Sequence, residues 1–235
     1  MSGRLYGVGV GPGDPELLTL KSVRLINESS VIAYPAPAGG AESMARQIAA
    51  PHIPSGKTEI VIETPMIPGQ FPANDIYDKY AAEIAAHLDA GRDVAVLCEG
   101  DPFLFGSFMY LFGRLATDYA TEVVPGVSSL GACAARAEVP LVSRNQTLAV
   151  IPAPIDENEL QRRIAAADAV AIMKVGRHLP KVRRVLEGLG RLKDAIYVER
   201  ATLENEKVMA LSDLDAETAP YFSMILLRTS EASDA

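Results

Sequence analysis

The sequence predicts an α/β protein of two domains, the first built on a five-stranded parallel β-sheet and the second on a mixed sheet. In the first half, short apolar runs alternate with segments of helical spacing, as in parallel strands joined by crossover helices. The run VAVLC at 94–98 is apolar without interruption and stops at turn residues, which is typical of a buried parallel strand. In the last third, strand patterns follow one another closely, which indicates a mixed sheet. We place the boundary after residue 118, giving domains of 1–118 and 119–235.

The first half contains five strand patterns separated by helical patterns. The strands are predicted at 5–10, 31–34, 58–63, 94–98 and 122–124, and the helices at 15–27, 43–50, 76–90, 103–115 and 130–137. Asp14 is the expected N-cap of the first helix, because Pro15 and Glu16 follow it in the first turn. Gly91 is expected to end the third helix. The segment 64–74 is rich in Pro and Gly and predicts an exposed loop.

The second half has more strands than helices. The strands are predicted at 148–151, 169–173, 195–198, 207–211 and 222–228, and the helices at 157–166 and 179–189. The helix at 179–189 is basic. Residues 229–235 predict a frayed tail.

Composition excludes several classes of function. The 235 residues are 49% hydrophobic and carry a formal net charge of −8, which argues against general nucleic-acid binding. No apolar run approaches the ~20 residues of a membrane span, and the N-terminus enters a Gly-rich turn too early for a signal peptide. Cys98 and Cys133 lie in apolar surroundings, and the three His residues lack metal-ligand spacing. We therefore expect a cytoplasmic protein without a metal site.

Three turns follow predicted parallel strands, at 11–14, 99–102 and 125–129. Because the carboxyl ends of parallel strands meet at one edge of a sheet, these turns should lie together and form a cleft for a nucleoside-like or amino-acid-like ligand. Each turn alone is also compatible with ordinary βα-loop chemistry. The first turn does not match the dinucleotide fingerprint, since its glycines alternate strictly and the second strand ends at Tyr34-Pro35 instead of an acidic residue. NAD binding is therefore disfavoured.

A basic segment lies between residues 174 and 193, with seven Lys or Arg residues against Glu187 alone. Such a segment can bind an anionic substrate through Arg–carboxylate pairs, or it can be a solvated helix face. No nucleophile–base pair or P-loop lysine is visible. The chemistry would therefore depend on positioning instead of a covalent intermediate.

The stretches GVGVGPGDPELLTLK, CEGDPFLFG and VVPGVSS resemble the three motifs of the tetrapyrrole (corrin/porphyrin) methylases, S-adenosylmethionine-dependent enzymes of siroheme and cobalamin synthesis. The resemblance covers essentially the whole chain. GDPFLFGSFMYLFGRL, IMKVGRHLPKVRRVL, AIYVERATL and APYFSMILL are similar to cobalamin-pathway members that methylate a bridging carbon. The resemblance implies two α/β domains with the methyl donor in the cleft between them, a tetrapyrrole substrate, S-adenosylhomocysteine as product and a homodimer.

The resemblance also implies residues for the donor and the substrate. The donor contacts are Pro12, Glu99, Gly100, Asp101, Leu104, Ser128, Ser129, Met173 and Ala210, among which Asp101 would hold polar groups of the donor. The substrate carboxylates would be bound by Arg136, Arg144, Lys174, Arg177 and Lys181. No metal ligand is implied.

The chain departs from the family pattern at the end of the second strand. Some siroheme-pathway relatives carry an Asp directly after the Tyr that ends this strand, proposed as a proton acceptor, whereas Pro35 follows Tyr34 here. The base that removes the proton from the methylated carbon is therefore open between Tyr34, Glu99 and water. Whether the substrate carries cobalt is also open. The alternative hypotheses for the function are methylation of a different ring carbon, a non-catalytic S-adenosylmethionine-binding module and a nicotinamide oxidoreductase.

Overall fold

The computed structural model describes residues 2–64 and 74–228. The interior of the predicted loop at 64–74 and the predicted tail at 229–235 lie outside the described residues. The chain divides into two compact units, Met1–Ser128 and Ser129–Ala235. Each unit has its own five-stranded sheet with helices, which confirms the predicted α/β class.

The first unit is built on a parallel sheet. Its strands are β1 (Leu5–Gly9), β2 (Val31–Pro37), β3 (Thr58–Thr64), β4 (Val94–Cys98) and β5 (Thr121–Val124). Their order is β3-β2-β4-β1-β5, and every pairing is parallel. Strand β4 is buried at all of its positions. The uninterrupted apolar run therefore correctly predicts a buried parallel strand.

Helices cover both faces of this sheet. They are α1 (Leu20–Glu28), α2 (Met44–Ala49), α3 (Asn74–Asp89) and α4 (Phe108–Leu115). Along β4, Val94 and Val96 pack with α3 and α4, whereas Ala95 and Leu97 pack with α1 and α2. A fully buried Val or Leu side chain contributes about 1.5–3 kcal/mol, so both faces stabilise the sheet.

The first unit extends past the boundary predicted after residue 118. Strand β5 pairs with β1 from Leu5 and Thr121 to Val8 and Val124, so it is the edge strand of the first sheet. Five parallel strands require this strand, and the first unit ends only at Ser128. The division therefore falls after 128 and not after 118.

The predicted helix at 15–27 consists of two pieces. The Asp14 carboxylate accepts a hydrogen bond from the Glu16 N–H at 2.8 Å, as predicted, but this cap begins only a 3-10 turn over Pro15–Leu17. Helix α1 has a separate cap, because the Thr19 hydroxyl accepts from the Ser22 N–H at 3.0 Å. Two competing caps within five residues divide what the apolar spacing presents as one helix.

The predicted helix at 103–115 begins only at Phe108. Phe105 has a φ of +57°, in the left-handed region that a right-handed helix excludes. Gly106 lies so close to the preceding backbone that an added Cβ would come within 2.5 Å of the Pro102 carbonyl oxygen. The first residues of this segment therefore form a tight turn.

The second unit is built on a mixed sheet, as predicted. Its strands are β6 (Leu148–Pro152), β7 (Ala169–Met173), β8 (Ala195–Glu199), β9 (Lys207–Ala210) and β10 (Ser223–Arg228), and its helices are α5 (Ser129–Arg136), α6 (Glu157–Ala165) and α7 (Leu179–Gly188). The order is β6-β7-β10-β8-β9. Strand β10 runs antiparallel to both of its neighbours, and β9 runs antiparallel to β8.

Candidate functional site

The three predicted turns share one edge of the first sheet. They follow β4, β1 and β5, which are adjacent and parallel. The Gly100 N–H donates to the Gly11 carbonyl at 2.8 Å, and the Gly11 N–H donates to the Gly100 carbonyl at 3.3 Å. The φ of Gly11 is +82° and that of Gly100 is +63°, and this close pairing of the two turns requires such positive values.

The third turn packs directly on the turn after β4 and on the last residue of β1. A Cβ added to Gly126 would lie 2.0 Å from the Gly100 carbonyl oxygen and 2.9 Å from the Gly9 Cα. No side chain fits between these backbones. The three turns therefore form one interlocked edge, in which backbone positions are fixed by contact.

Asp101 joins two of these turns. Its Oδ1 accepts from the N–H groups of Phe103 and Leu104, at 2.9 and 3.2 Å, and its Oδ2 accepts from the Gly126 N–H at 3.1 Å. Both oxygens therefore bind backbone, and this linking role was not predicted from the sequence. A carboxylate has about four acceptor sites, so Asp101 retains capacity for the predicted contact with the donor.

Glu99 presents a half-buried side chain next to this edge. Its Oε1 accepts from the Ala45 N–H at 3.2 Å, at the start of α2. Burial raises the pKa of Glu99, while the backbone hydrogen bonds oppose the rise. A carboxyl group whose pKa is raised is a better proton acceptor than an ordinary one.

Tyr34 lies in a different environment. Its hydroxyl donates to Glu59 Oε2 at 2.7 Å, and Arg46 binds the same carboxylate with Nε and Nη2, both at 3.1 Å. Glu59 lies near the start of β3, away from the edge where the turns meet. Burial and the bond to Glu59 raise the pKa of Tyr34, so its hydroxyl stays protonated at neutral pH. Tyr34 is therefore a poorer candidate base than Glu99.

The remaining donor residues predicted in the first unit belong to the same three turns. Pro12 and Ser128 are half-buried, and Leu104 is exposed. Pro12 lies between Gly11 and Asp14 in the turn after β1. The structure thus brings Pro12, Glu99, Gly100, Asp101, Leu104 and Ser128 to one edge of one sheet.

The predicted residues of the second unit are more dispersed. Ser129 is the first residue of α5 and Met173 the last of β7. Ala210 ends β9, which is separated from β7 by β10 and β8. It pairs with Ile196 near the start of β8, whereas Met173 is level with the end of β8. Within this sheet, Met173 and Ala210 are therefore not neighbours.

Several predicted substrate-binding cations already have partners. Arg136 Nε donates to both oxygens of Glu206, at 2.8 and 2.9 Å. Lys181 Nζ donates to the Ile155 carbonyl. Arg144, Lys174 and Arg177 have exposed side chains that an incoming anion can reach.

The basic segment also contributes to the structure of the second unit. Arg183 donates to the carbonyl groups of Leu214 and Ala216, and Arg184 pairs with Glu157 at 2.8 Å. Some of the basic residues that the sequence suggests for anion binding are therefore engaged in contacts within the second unit.

No sequence pattern indicates the strained turn after β8. Arg200 and Thr202 have φ values of +50° and +70°, although neither is Gly, and the Thr202 N–H donates to Glu206 Oε2 at 2.6 Å. Because Glu206 also binds Arg136, this ion pair holds the turn. The turn lies at the same edge of the second sheet as Met173, since β7 and β8 run in the same direction.

Two features are absent from the described residues, a metal-binding cluster and a membrane-spanning helix. No group of three or more His, Cys, Asp or Glu side chains is arranged to hold a metal ion there. No helix within 2–64 and 74–228 is long and apolar enough to cross a membrane. Both cysteines are free and buried.

Comparison with known proteins gives close relatives over nearly the full length. The chain is 43% identical to a precorrin-2 C(20)-methyltransferase of Sinorhizobium sp over 233 residues, which cover 96% of this chain and 95% of that protein. It is 32% identical to a cobalt-precorrin-2 C(20)-methyltransferase of Salmonella typhimurium, with 97% of both chains covered.

Solved structures show the same fold. A cobalt precorrin-4 methyltransferase matches with a TM-score of 0.75 at 25% identity, over 96% of this chain and 94% of that one. The uroporphyrin-III C-methyl transferase of Thermus thermophilus, complexed with S-adenyl homocysteine, matches with a TM-score of 0.70 at 25% identity, over 98% of this chain and 100% of that one.

The family assignment follows from the extent of these matches. The family model of the Tetrapyrrole (Corrin/Porphyrin) Methylases matches residues 4–215, which span both sheets apart from β10. The interlocked turns lie within the matched residues. The chain belongs to the tetrapyrrole (corrin/porphyrin) methylase family.

Proposed function

We propose that the protein transfers a methyl group from S-adenosylmethionine to the C(20) bridging carbon of precorrin-2, giving precorrin-3A in cobalamin synthesis. The observation that carries this proposal is the 43% identity to a precorrin-2 C(20)-methyltransferase across nearly all of both chains. The family model matches residues 4–215, which contain the three interlocked turns. It therefore extends to the candidate site as well as to the fold.

The charge at the edge of the first sheet fits this donor. The turns at 11–14, 99–102 and 125–128 carry Asp14, Glu99 and Asp101 and no Lys or Arg. Carboxylates suit amines, hydroxyls and a cationic sulfonium, whereas they repel the phosphates of a dinucleotide. These three carboxylates therefore support binding of S-adenosylmethionine over binding of a nicotinamide cofactor.

The chain's own residues would bind and orient the donor. Bound S-adenosylmethionine supplies an electrophilic methyl group. Gly100 and the backbone around it allow close approach, and Asp101 fixes the turn after β4 against Gly126. Alignment of two reactants in a fixed site can be worth about 7–11 kcal/mol, so rigid turns are the main catalytic requirement.

Glu99 is the side chain best suited to accept the proton that leaves the methylated carbon. Its side chain is half-buried and its pKa is raised. Tyr34 is less suitable, because its hydroxyl is already donated to Glu59. For the carboxylates of the substrate, the exposed side chains of Arg144 and Arg177 are favoured over Arg136 and Lys181, which bind Glu206 and the Ile155 carbonyl.

Three alternatives make different predictions. The 32% identity to a cobalt-precorrin-2 enzyme supports a cobalt-containing substrate as the second candidate. Methylation of a different ring carbon would give a product of the same mass in which the methyl group has a different position. A non-catalytic S-adenosylmethionine-binding module would bind the donor without transferring its methyl group.

One assay separates these alternatives. Purified protein is incubated anaerobically with S-adenosylmethionine and precorrin-2 or cobalt-precorrin-2, and the products are analysed by mass spectrometry and NMR. We expect one added methyl group at C(20) of the metal-free macrocycle. Transfer only to the cobalt complex, or to another carbon, would replace the proposal by the corresponding alternative. Donor binding without transfer to either macrocycle would contradict methyltransferase activity.

We also propose that the protein is a cytoplasmic homodimer. The dimer is what the family resemblance implies, and the buried free thiols of Cys98 and Cys133 suit a reducing compartment. Sedimentation velocity of the purified protein tests the dimer. Fractionation of the source cells tests the compartment.

A further inference from the structure

The turn between β4 and α4 exposes an unusual concentration of large apolar side chains. Phe103, Leu104 and Phe105 are 47%, 39% and 42% exposed, and Met109 on α4 is 37% exposed. Of the ten large apolar side chains that are exposed in the described residues, four therefore lie between 103 and 109. Single exposed apolar residues need no explanation, whereas a concentration of them marks a binding surface.

The backbone holds these side chains rigidly. Phe105 has a φ of +57°, and a bulky residue in this region is a genuine outlier. Asp101 binds the N–H groups of Phe103 and Leu104, and Gly106 packs against the Pro102 carbonyl. Strain of this kind persists where the surrounding structure fixes it, and it is concentrated at functional sites.

Phe103 is anchored on the core while it remains half exposed. Its ring meets Phe112 edge-on, with ring centroids 5.1 Å apart, and lies 6.1 Å from the buried ring of Phe108. The exposed part of Phe103 is therefore supported from behind by two aromatic rings. Such a surface loses little side-chain entropy when a ligand covers it.

We propose that Phe103 and Phe105 form the apolar platform that receives the flat face of the tetrapyrrole substrate. This proposal rests on the proposed function. A tetrapyrrole has a broad conjugated face and carries its carboxylates at the periphery. Residues 99–109 contain no Lys or Arg and two acidic residues, Glu99 and Asp101, so this surface suits the uncharged face and repels the charged rim. Phe105 thereby becomes a specificity-determining residue.

The first test is a kinetic comparison of Phe105→Ala with Leu20→Ala. Leu20 is 90% exposed at the start of α1, and α1 and α4 pack on opposite faces of the sheet. We expect Phe105→Ala to raise the KM for precorrin-2 about tenfold, equal to about 1.4 kcal/mol, and to leave the Kd for S-adenosylhomocysteine unchanged. Leu20→Ala should change neither. Circular dichroism of both variants checks that they are folded.

The second test is spectroscopic. The chain contains no Trp, so Phe105→Trp provides a single fluorescent reporter that keeps an aromatic ring on the platform. Titration with precorrin-2 in the absence of the methyl donor should quench this Trp strongly and saturably. Leu20→Trp provides the matched reporter on the other face, and it should be quenched less at the same degree of saturation.

The outcomes distinguish the platform from the reaction. If the wild type methylates precorrin-2 while Phe105→Ala keeps its KM, the platform is wrong and the proposed function stands. If Phe105→Ala dissociates a dimer and keeps its KM, the surface is a contact between subunits and the platform is again wrong. If the wild type transfers no methyl group, the proposed function fails. Equal quenching of the two Trp reporters by precorrin-2 would overturn the platform, whatever the outcome of the activity assay.

Discussion

At the scale of single residues, Glu99 is the carboxyl group of the candidate site whose pKa is raised. Burial raises its pKa, and the Ala45 N–H holds its Oε1. We expect Glu99→Gln to lower kcat at least about a hundredfold, the usual contribution of a positioned base, because the amide cannot accept the proton. Steady-state kinetics with S-adenosylmethionine and precorrin-2 measure this loss.

The pH dependence of kcat gives an independent check of Glu99. A base works in its ionised form, so kcat of the wild type should rise with pH through the raised pKa and level off above it. The residual rate of Glu99→Gln should lack this rise. Tyr34→Phe serves as the matched control and should retain kcat within about threefold. A large loss in Tyr34→Phe with full activity in Glu99→Gln would transfer the role to Tyr34.

Sequence patterns predict which residues lie at the candidate site better than they predict what each residue binds. Glu99, Gly100 and Asp101 lie at the predicted edge, because strand direction alone determines it. The link from Asp101 to Gly126 depends on two turns that are distant in sequence. The bond from Lys181 to Ile155 likewise depends on packing within the second unit, which charge patterning does not report.

At the scale of elements, the three turns behave as one unit because their backbones touch. We expect Gly126→Ala to destabilise the protein by about 1–3 kcal/mol, the usual cost of overpacking, since its Cβ would lie 2.0 Å from the Gly100 carbonyl oxygen. The displaced turns should also bind the donor more weakly. Urea unfolding measures the first effect, and calorimetry with S-adenosylhomocysteine measures the second.

Gly113→Ala is the matched control in the same unit. Gly113 lies inside α4, and an added Cβ would meet no atom within 4 Å. Because Ala is the better helix former, this variant should be stabilised by about 0.5–1 kcal/mol with unchanged affinity. If Gly126→Ala has the same unfolding free energy and the same affinity for S-adenosylhomocysteine as the wild type, the turns can separate without cost to the site.

Element types are more predictable from the sequence than the places where elements begin. The apolar spacing correctly indicates helices after β1 and β4. It does not report that Thr19 starts a second cap or that Phe105 adopts a left-handed conformation, since both depend on contacts of the folded turns. The two misplaced helix starts lie beside the candidate site, where close backbone packing overrides local preference.

At the scale of the whole molecule, each unit has its own sheet and its own core. Alternating strands and helices predict the first sheet, and closely spaced strands predict the second. The boundary predicted after residue 118 precedes the observed division after Ser128, because the four-residue strand β5 carries no local signal of the sheet it joins. Stability therefore depends on interactions within both units, and the charged groups of each contribute.

Carboxylates with lowered pKa values occur in both units, so acid should destabilise the whole molecule. In the first unit, the hydrogen bond from Arg46 lowers the pKa of Glu59, and the bond from Tyr34 adds to this. In the second, bonds from Arg162 and Arg163 lower the pKa of Glu159 to about 2. The unfolded chain takes up protons first as pH falls, so stability is present above about pH 4.5 and is lost below it.

Removal of one such carboxylate should weaken this dependence. Glu59→Gln should lower the unfolding free energy at pH 7 by about 1 kcal/mol, because the partly exposed ion pair with Arg46 is lost. The loss should be smaller at pH 3, because the unfolded wild-type chain takes up there a proton that the folded Glu59 resists. Urea unfolding from pH 7 to 3 measures both values. The control is Glu187→Gln, because Glu187 is exposed, and its unfolding free energy at pH 7 should stay within about 0.5 kcal/mol of the wild type. An equal loss in Glu59→Gln at every pH would mean that the bond acts through packing and not through the charge of Glu59.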